Sequence, residues 1–182
     1  QADIKIIQLV NDALDRLSRE NDWNWYQRRA YLNLNAAETV SVDLTNGTAD
    51  AILSSGTWPS WAGSGRLFVN NLIMDVANRD SPTQLTLATA WGGPTGTFSA
   101  TLFRNSYVLP RNFWSFGTIL EGQNWPYKPL PMSIQVIWQW ENALCVGTQY
   151  ANAFAIGFGK VWVWPYPTTE QSIVYTYKAR PT

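Results

Sequence analysis

The spacing of apolar and polar positions changes along this chain, and the changes mark its elements. Over residues 3–20, Ile4, Ile7, Val10, Leu14 and Leu17 recur every three or four positions. That period puts them on one stripe of a helix. Asp3 is placed to cap it. Lys5, Asp12, Asp15, Arg16 and Arg19 fall mostly off the stripe, and Asn21-Asp22 ends it. The stripe requires a partner in this chain or in a neighbouring one. Trp23 and Tyr26, three apart, either anchor the helix exit or form a docking surface for another subunit.

From Tyr31 the period becomes two. Val40, Val42 and Leu44 alternate with polar residues, and Asn46-Gly47 favours a tight turn because both residues tolerate positive φ. The run from Ala49 to Leu53 pairs back as a second strand. Residues 54–65 have the composition of a loop, and Arg66 to Val76 reads as one extended apolar segment. Ser81-Pro82-Thr83 turns the chain, Leu85 and Leu87 alternate, and so do Phe98, Ala100 and Leu102, with Trp91 to Gly96 between them. Turns roughly every ten residues predict a small antiparallel sandwich or barrel.

After Phe113 the pattern is mixed. Pro131 is placed to open a short helix through Ile134, Ile137, Trp138 and Leu144, stopped by Gly147. Residues 153–164 read as a hairpin turning near Gly159-Lys160, with Val161 and Val163 on one face and Trp162 and Trp164 on the other. Ile173, Tyr175 and Tyr177 mark a last strand. The expected fold is α+β, an N-terminal helix and mixed core with an inserted small antiparallel β-sandwich or barrel module. Its parts are a helical segment (1–30), the β-rich insertion (31–113), the C-terminal part of the core (114–177) and the start of an extended arm (178–182).

Composition sharpens this picture. Of 182 residues 46% are hydrophobic and 14% charged, the latter low against a usual share of about 25%. Such a chain folds, and its surface suits coverage by partners. Thirteen basic residues balance thirteen acidic ones, so strong attraction to nucleic acid is not indicated. No apolar run reaches the length of a membrane helix.

Candidate chemistry is sparse. With no histidine, triads and metal sites that use it are excluded. The single cysteine, Cys145, lies in an apolar run and reads as a buried structural thiol. Asp3, Asp12, Asp15, Glu20 and Asp22 belong to a solvated helix face, and Glu38, Asp43, Asp50, Asp75, Asp80, Glu121, Glu141 and Glu170 stand apart in sequence. Gly157-Phe158-Gly159-Lys160 lacks the leading glycine and trailing hydroxyl of a phosphate loop and reads as a turn. No catalytic, cofactor-binding or metal-ligating residue is assigned.

Eleven tryptophans are the remaining oddity. Trp58, Trp61 and Trp91 fall in loops, and Trp162 and Trp164 alternate along a strand. Core filling, anchoring of a protein interface and stacking on sugar rings are the three readings.

The order of the motifs resembles a known family. The helix ends near Trp23-Asn24-Trp25. The β segment carries Thr39-Val40-Ser41-Val42, Asn46-Gly47-Thr48, Thr57-Trp58-Pro59-Ser60-Trp61 and Gly65-Arg66-Leu67-Phe68-Val69, and it closes on Tyr107-Val108-Leu109-Pro110-Arg111-Asn112-Phe113. Gly147-Thr148-Gln149-Tyr150-Ala151, Trp164-Pro165-Tyr166-Pro167 and Tyr175 to Pro181 follow. This succession resembles the adaptor, or head-to-tail connector, proteins of tailed bacteriophages, the short-tailed type above all. It departs from them in its tryptophan content and in Gln149, where they often carry proline.

The resemblance implies a non-enzymatic virion protein of the neck and tail, assembled in the host cytoplasm. It implies a homo-oligomeric ring, commonly of twelve copies, that joins the portal protein to the tail nozzle or tube. Double-stranded genome DNA would pass through it without specific binding, and no cofactor or membrane would be involved. Lys178, Arg180 and Pro181 would start a portal-facing arm, and Trp58, Trp61, Trp91, Trp162 and Trp164 are the candidate contacts with neighbouring subunits or the tail. The alternatives are a carbohydrate-binding β module of a tail or glycan-active protein, and another neck or tail component such as a stopper or nozzle.

Overall fold

The computed structural model describes residues 2–20, 27–120, 129–143 and 145–180. Helix α1 (Ala2–Glu20) comes first, followed by strand β1 (Gln27–Leu34). The next six strands are β2 (Glu38–Leu44), β3 (Asp50–Leu53), β4 (Arg66–Val69), β5 (Leu72–Arg79), β6 (Gln84–Leu87) and β7 (Gly96–Phe103). They close a barrel in the order β2-β3-β6-β5-β4-β7, antiparallel throughout. Closure leaves the barrel no free edge.

Alternation explains the barrel interior. Val42, Leu44, Ala51, Leu53, Leu67, Val69, Leu85, Leu87, Ala100 and Leu102 point inward and form one buried cluster. Trp58 and Trp91 complete it from the connections. Trp91 is held beside the β2–β3 turn, where its N–H donates to Thr48 O and its carbonyl accepts from Gly47 N–H. Trp58 is held at the other end of β3, where its N–H donates to Pro82 O. The extended segment expected from Arg66 to Val76 is instead a hairpin. Asn70 and Asn71 both take positive φ (48° and 62°) and turn β4 into β5. Asparagine is one of the few side chains that tolerates this region.

The remaining strands build a second body. These are β8 (Ser106–Val108), β9 (Phe113–Leu120), β10 (Leu130–Pro131), β11 (Gly147–Thr148), β12 (Ala153–Gly157), β13 (Lys160–Trp164), β14 (Tyr166–Pro167) and β15 (Gln171–Ala179). One sheet runs β1-β15-β9 and the other β10-β12-β13-β8; β11 and β14 form a small parallel pair. The two sheets share a core of Leu32, Leu34, Tyr107, Phe154, Val161, Val163, Ile173, Tyr175 and Tyr177. On the outer face of the second sheet lies helix α2 (Ile134–Ala143), with Trp138 edge-on to Trp162 and Trp140 tilted on Trp164. The helix opens at Ser133, whose Oγ accepts from Val136 N–H at 3.3 Å, rather than at Pro131, which lies in β10. Gly147, expected to stop it, belongs to β11, and Leu144 is outside the described residues.

These facts overturn the α+β expectation of an N-terminal helix and mixed core. The described residues are mostly β, with fifteen strands against two α-helices. The cause is physical: α1 does not fill a core. Ile6, Ile7, Leu9 and Val10 remain 50–68% exposed. The work of a central helix is done by β1 and β15, which pair along their lengths from Gln27↔Lys178 to Leu34↔Gln171.

Candidate functional site

The barrel is inserted between β1 and β8, so the chain crosses from one body to the other twice, at residues 35–37 and 104–105. Tyr107 pins both crossings. Its hydroxyl accepts from Asn35 N–H at 3.1 Å and donates to Arg104 O at 3.0 Å. Arg104 lies over the Tyr107 ring at 4.7 Å, and its Nε donates to Ser106 O at 3.1 Å. Burial, against weaker pulls from the Asn35 bond and Arg104, pushes the Tyr107 hydroxyl up to about 12. Phe103 stacks on Tyr166 at 4.5 Å, and Ala37 N–H donates to Pro167 O.

A buried ion pair spans the same junction. Arg66 on β4 donates through Nη1 to Glu141 Oε2 on α2 at 2.5 Å, and through Nε to Asp75 Oδ1 on β5 at 2.6 Å. Asn105 Nδ2 donates to the other Glu141 oxygen at 2.6 Å. Glu141 is 4% exposed. Burial raises its pKa above the ordinary carboxylate value, the pull of Arg66 and the Asn105 bond offsetting part of the rise. In the sequence Glu141 stands as an isolated acid, and nothing there marks Arg66 or Asn105 as its partners. The one signal was a carboxylate within an aromatic-rich apolar helix, a setting that requires a partner. Cys145, half-buried nearby, has its thiol pushed up to about 12 by burial, which suits a structural thiol.

Beside this ion pair a cleft of about 290 Å³ opens between the two bodies. Arg66, Asp75, Arg104, Ser106, Lys160 and Trp162 are among the residues that line it. The barrel supplies the first two, the crossing Arg104, and the second body, a sandwich of its two sheets, the rest.

The tryptophans singled out in the sequence do not come together. Trp58 and Trp91 are each 1% exposed and fill the barrel, so neither offers a ring to a neighbour. Trp91 Nε1 donates to Pro94 O at 2.8 Å. Trp61 is half-buried against the barrel core. Trp162 and Trp164 are half-buried under α2, their Nε1 atoms buried without a partner among the described residues. Lys178 lies in β15, opposite Gln27 and Ser115, and Arg180 just beyond it donates its N–H to Asn112 O. Pro181, Trp23 and Tyr26 lie outside the described residues.

Among the described residues no three His, Cys, Asp or Glu side chains gather as a metal-binding group, and no helix is long and apolar enough to cross a membrane. No family model, curated protein or solved structure matches the chain.

Proposed function

We propose that this chain is a structural subunit of a phage neck, assembling through α1 into an adaptor ring between portal and tail. The observation that carries the reading is the open apolar face of α1. Both bodies have closed their own cores, yet Ile6, Ile7, Leu9 and Val10 are left facing water on one helix. Leaving such a face exposed costs free energy that packing against another surface recovers. The occupant we propose is the equivalent segment of a neighbouring copy. Lys5, Asp12 and Arg16 give the helix charges of both signs, which suits contact between identical elements. Residues 5–13 are exposed on every side of the helix, so one side can pack on a different side of the next copy's helix, a heterologous contact that closes into a ring. The motif order supports placing that ring in the phage neck, with the portal and the tail nozzle as partners, DNA passing through, and no catalysis by the subunit itself.

The test is the mass of the full chain in solution by light scattering, with images of the particles. A ring-sized species is expected, together with capture by purified portal. Ile7→Asp with Val10→Asp should yield monomers whose thermal unfolding is unchanged. A chain monomeric at every concentration, or a double variant that still assembles, would overturn the role of α1.

A further inference from the structure

The cleft between barrel and sandwich holds more cations than its carboxylates neutralise. Arg66 is satisfied by Asp75 and Glu141. Two further cations, Arg104 and Lys160, line the same cleft, and neither has an ion-pair partner among the described residues. Arg104 spends its Nε on Ser106 O, and its Nη1 reaches Asn35 Oδ1 only at 3.4 Å. Lys160 opens β13 directly after the Phe158-Gly159 turn, and its side chain makes no hydrogen bond among the described residues. The positive charge of the cleft therefore exceeds its negative charge, a requirement for holding an anion.

The rest of the lining narrows the ligand. A bare inorganic anion would use the cations and the serine hydroxyls but leave the apolar surface idle. Here Trp162, Val76 and Val108 add apolar surface beside them, the indole suited to the C–H face of a sugar ring. Ser64 and Ser106 add hydroxyls, and Asp75 Oδ2 is left to accept from a hydroxyl while Oδ1 serves Arg66. A volume of about 290 Å³ is at the small end of ligand sites. We propose that this cleft binds an acidic saccharide, as a free sugar or as the end of a glycan. Its carboxylate would lie against Arg104 and Lys160, and its ring against Trp162. The cleft belongs to a single copy of the chain, so this proposal stands or falls independently of ring assembly.

The experiment is a titration of the full chain followed by amide NMR shifts, with glucuronate, glucose and inorganic phosphate as separate probes. Saturable shifts around Lys160 and Ser106 are expected with glucuronate near 1 mM or below. Glucose should bind at least about tenfold more weakly, because it lacks the charge-assisted bonds. Phosphate should also bind more weakly, because it lacks the ring. Lys160→Glu should weaken glucuronate about tenfold with the melting temperature unchanged, since Lys160 holds no partner in the fold. A longer acidic oligosaccharide binding more tightly than glucuronate would assign the glycan end, and equal binding the free sugar. Absence of saturation, equal binding by Lys160→Glu, or glucose or phosphate matching glucuronate would each overturn the proposal.

Discussion

Glu141 is the buried carboxylate of the junction, 4% exposed and bonded through both oxygens. Its carboxylate is buried and held by Arg66 and Asn105, so removing it leaves the Arg66 guanidinium with Asp75 alone. Glu141→Ala should destabilise the chain by about 3 kcal/mol, the low end for breaking a buried pair because Asp75 remains. Chemical denaturation measures this. The pH dependence has a definite sign. With its folded pKa raised, Glu141 binds its proton more readily folded than unfolded. Its contribution therefore grows as pH falls through the raised pKa toward the ordinary value of 4.5, and is lost as pH rises. The stability of the wild type relative to Glu141→Gln should accordingly increase as pH falls toward 4.5; no change in that difference would mean burial does not govern this carboxyl. Tyr107→Phe removes the acceptor for Asn35 N–H and the donor to Arg104 O, and should cost about 1–3 kcal/mol. Tyr107 works in the same direction at alkaline pH, its contribution being lost between 10 and about 12.

At the scale of elements, turn chemistry decided more than strand pattern. Asn46-Gly47 is legible because glycine adopts positive φ freely, here +78°. Asn70-Asn71 is harder to read, since asparagine also populates ordinary loops and only these two residues separate the apolar runs Leu67–Val69 and Leu72–Met74. Asn71→Gly should retain or slightly raise stability at its φ of 62°, whereas Asn71→Val should lower it by about 1–2 kcal/mol. Thermal unfolding of the pair separates them, and equal melting temperatures would remove the turn from the account. Gly93 shows a different constraint. A Cβ there would stand 2.3 Å from the Trp91 ring, so Gly93→Ala should displace that indole and loosen the barrel end, read as a shift in Trp fluorescence. Helix α1 was readable as an element from its period alone, but the sequence left open what its stripe would meet.

For the whole molecule, the junction determines whether barrel and sandwich behave as one unit. The Arg66–Glu141–Asn105 chain, the Tyr107 hydroxyl and the Phe103–Tyr166 stack bind the two bodies across both crossings. The intact chain should unfold in a single transition. Glu141→Ala with Tyr107→Phe should separate it into two, detected as non-coincident loss of near-UV and far-UV circular dichroism. A single transition in the double variant would mean that the apolar contacts alone suffice.

The sequence by itself determined the periodicities, and with them α1, most strand positions and the inward-facing residues of the barrel, because alternation is a local property of the chain. It also determined what chemistry was excluded, since a chain without histidine cannot use one. Tertiary structure alone decided the class of the fold, because whether a helical stripe is buried depends on what packs against it. It turned Trp58 and Trp91 from loop residues into barrel filling, since a loop can fold over the open end of a barrel and residue type does not reveal this. It also brought Arg66, Asp75, Arg104, Asn105, Glu141 and Lys160 to one junction. Those residues are scattered over nearly a hundred positions, and only the insertion of one body into the other makes them neighbours.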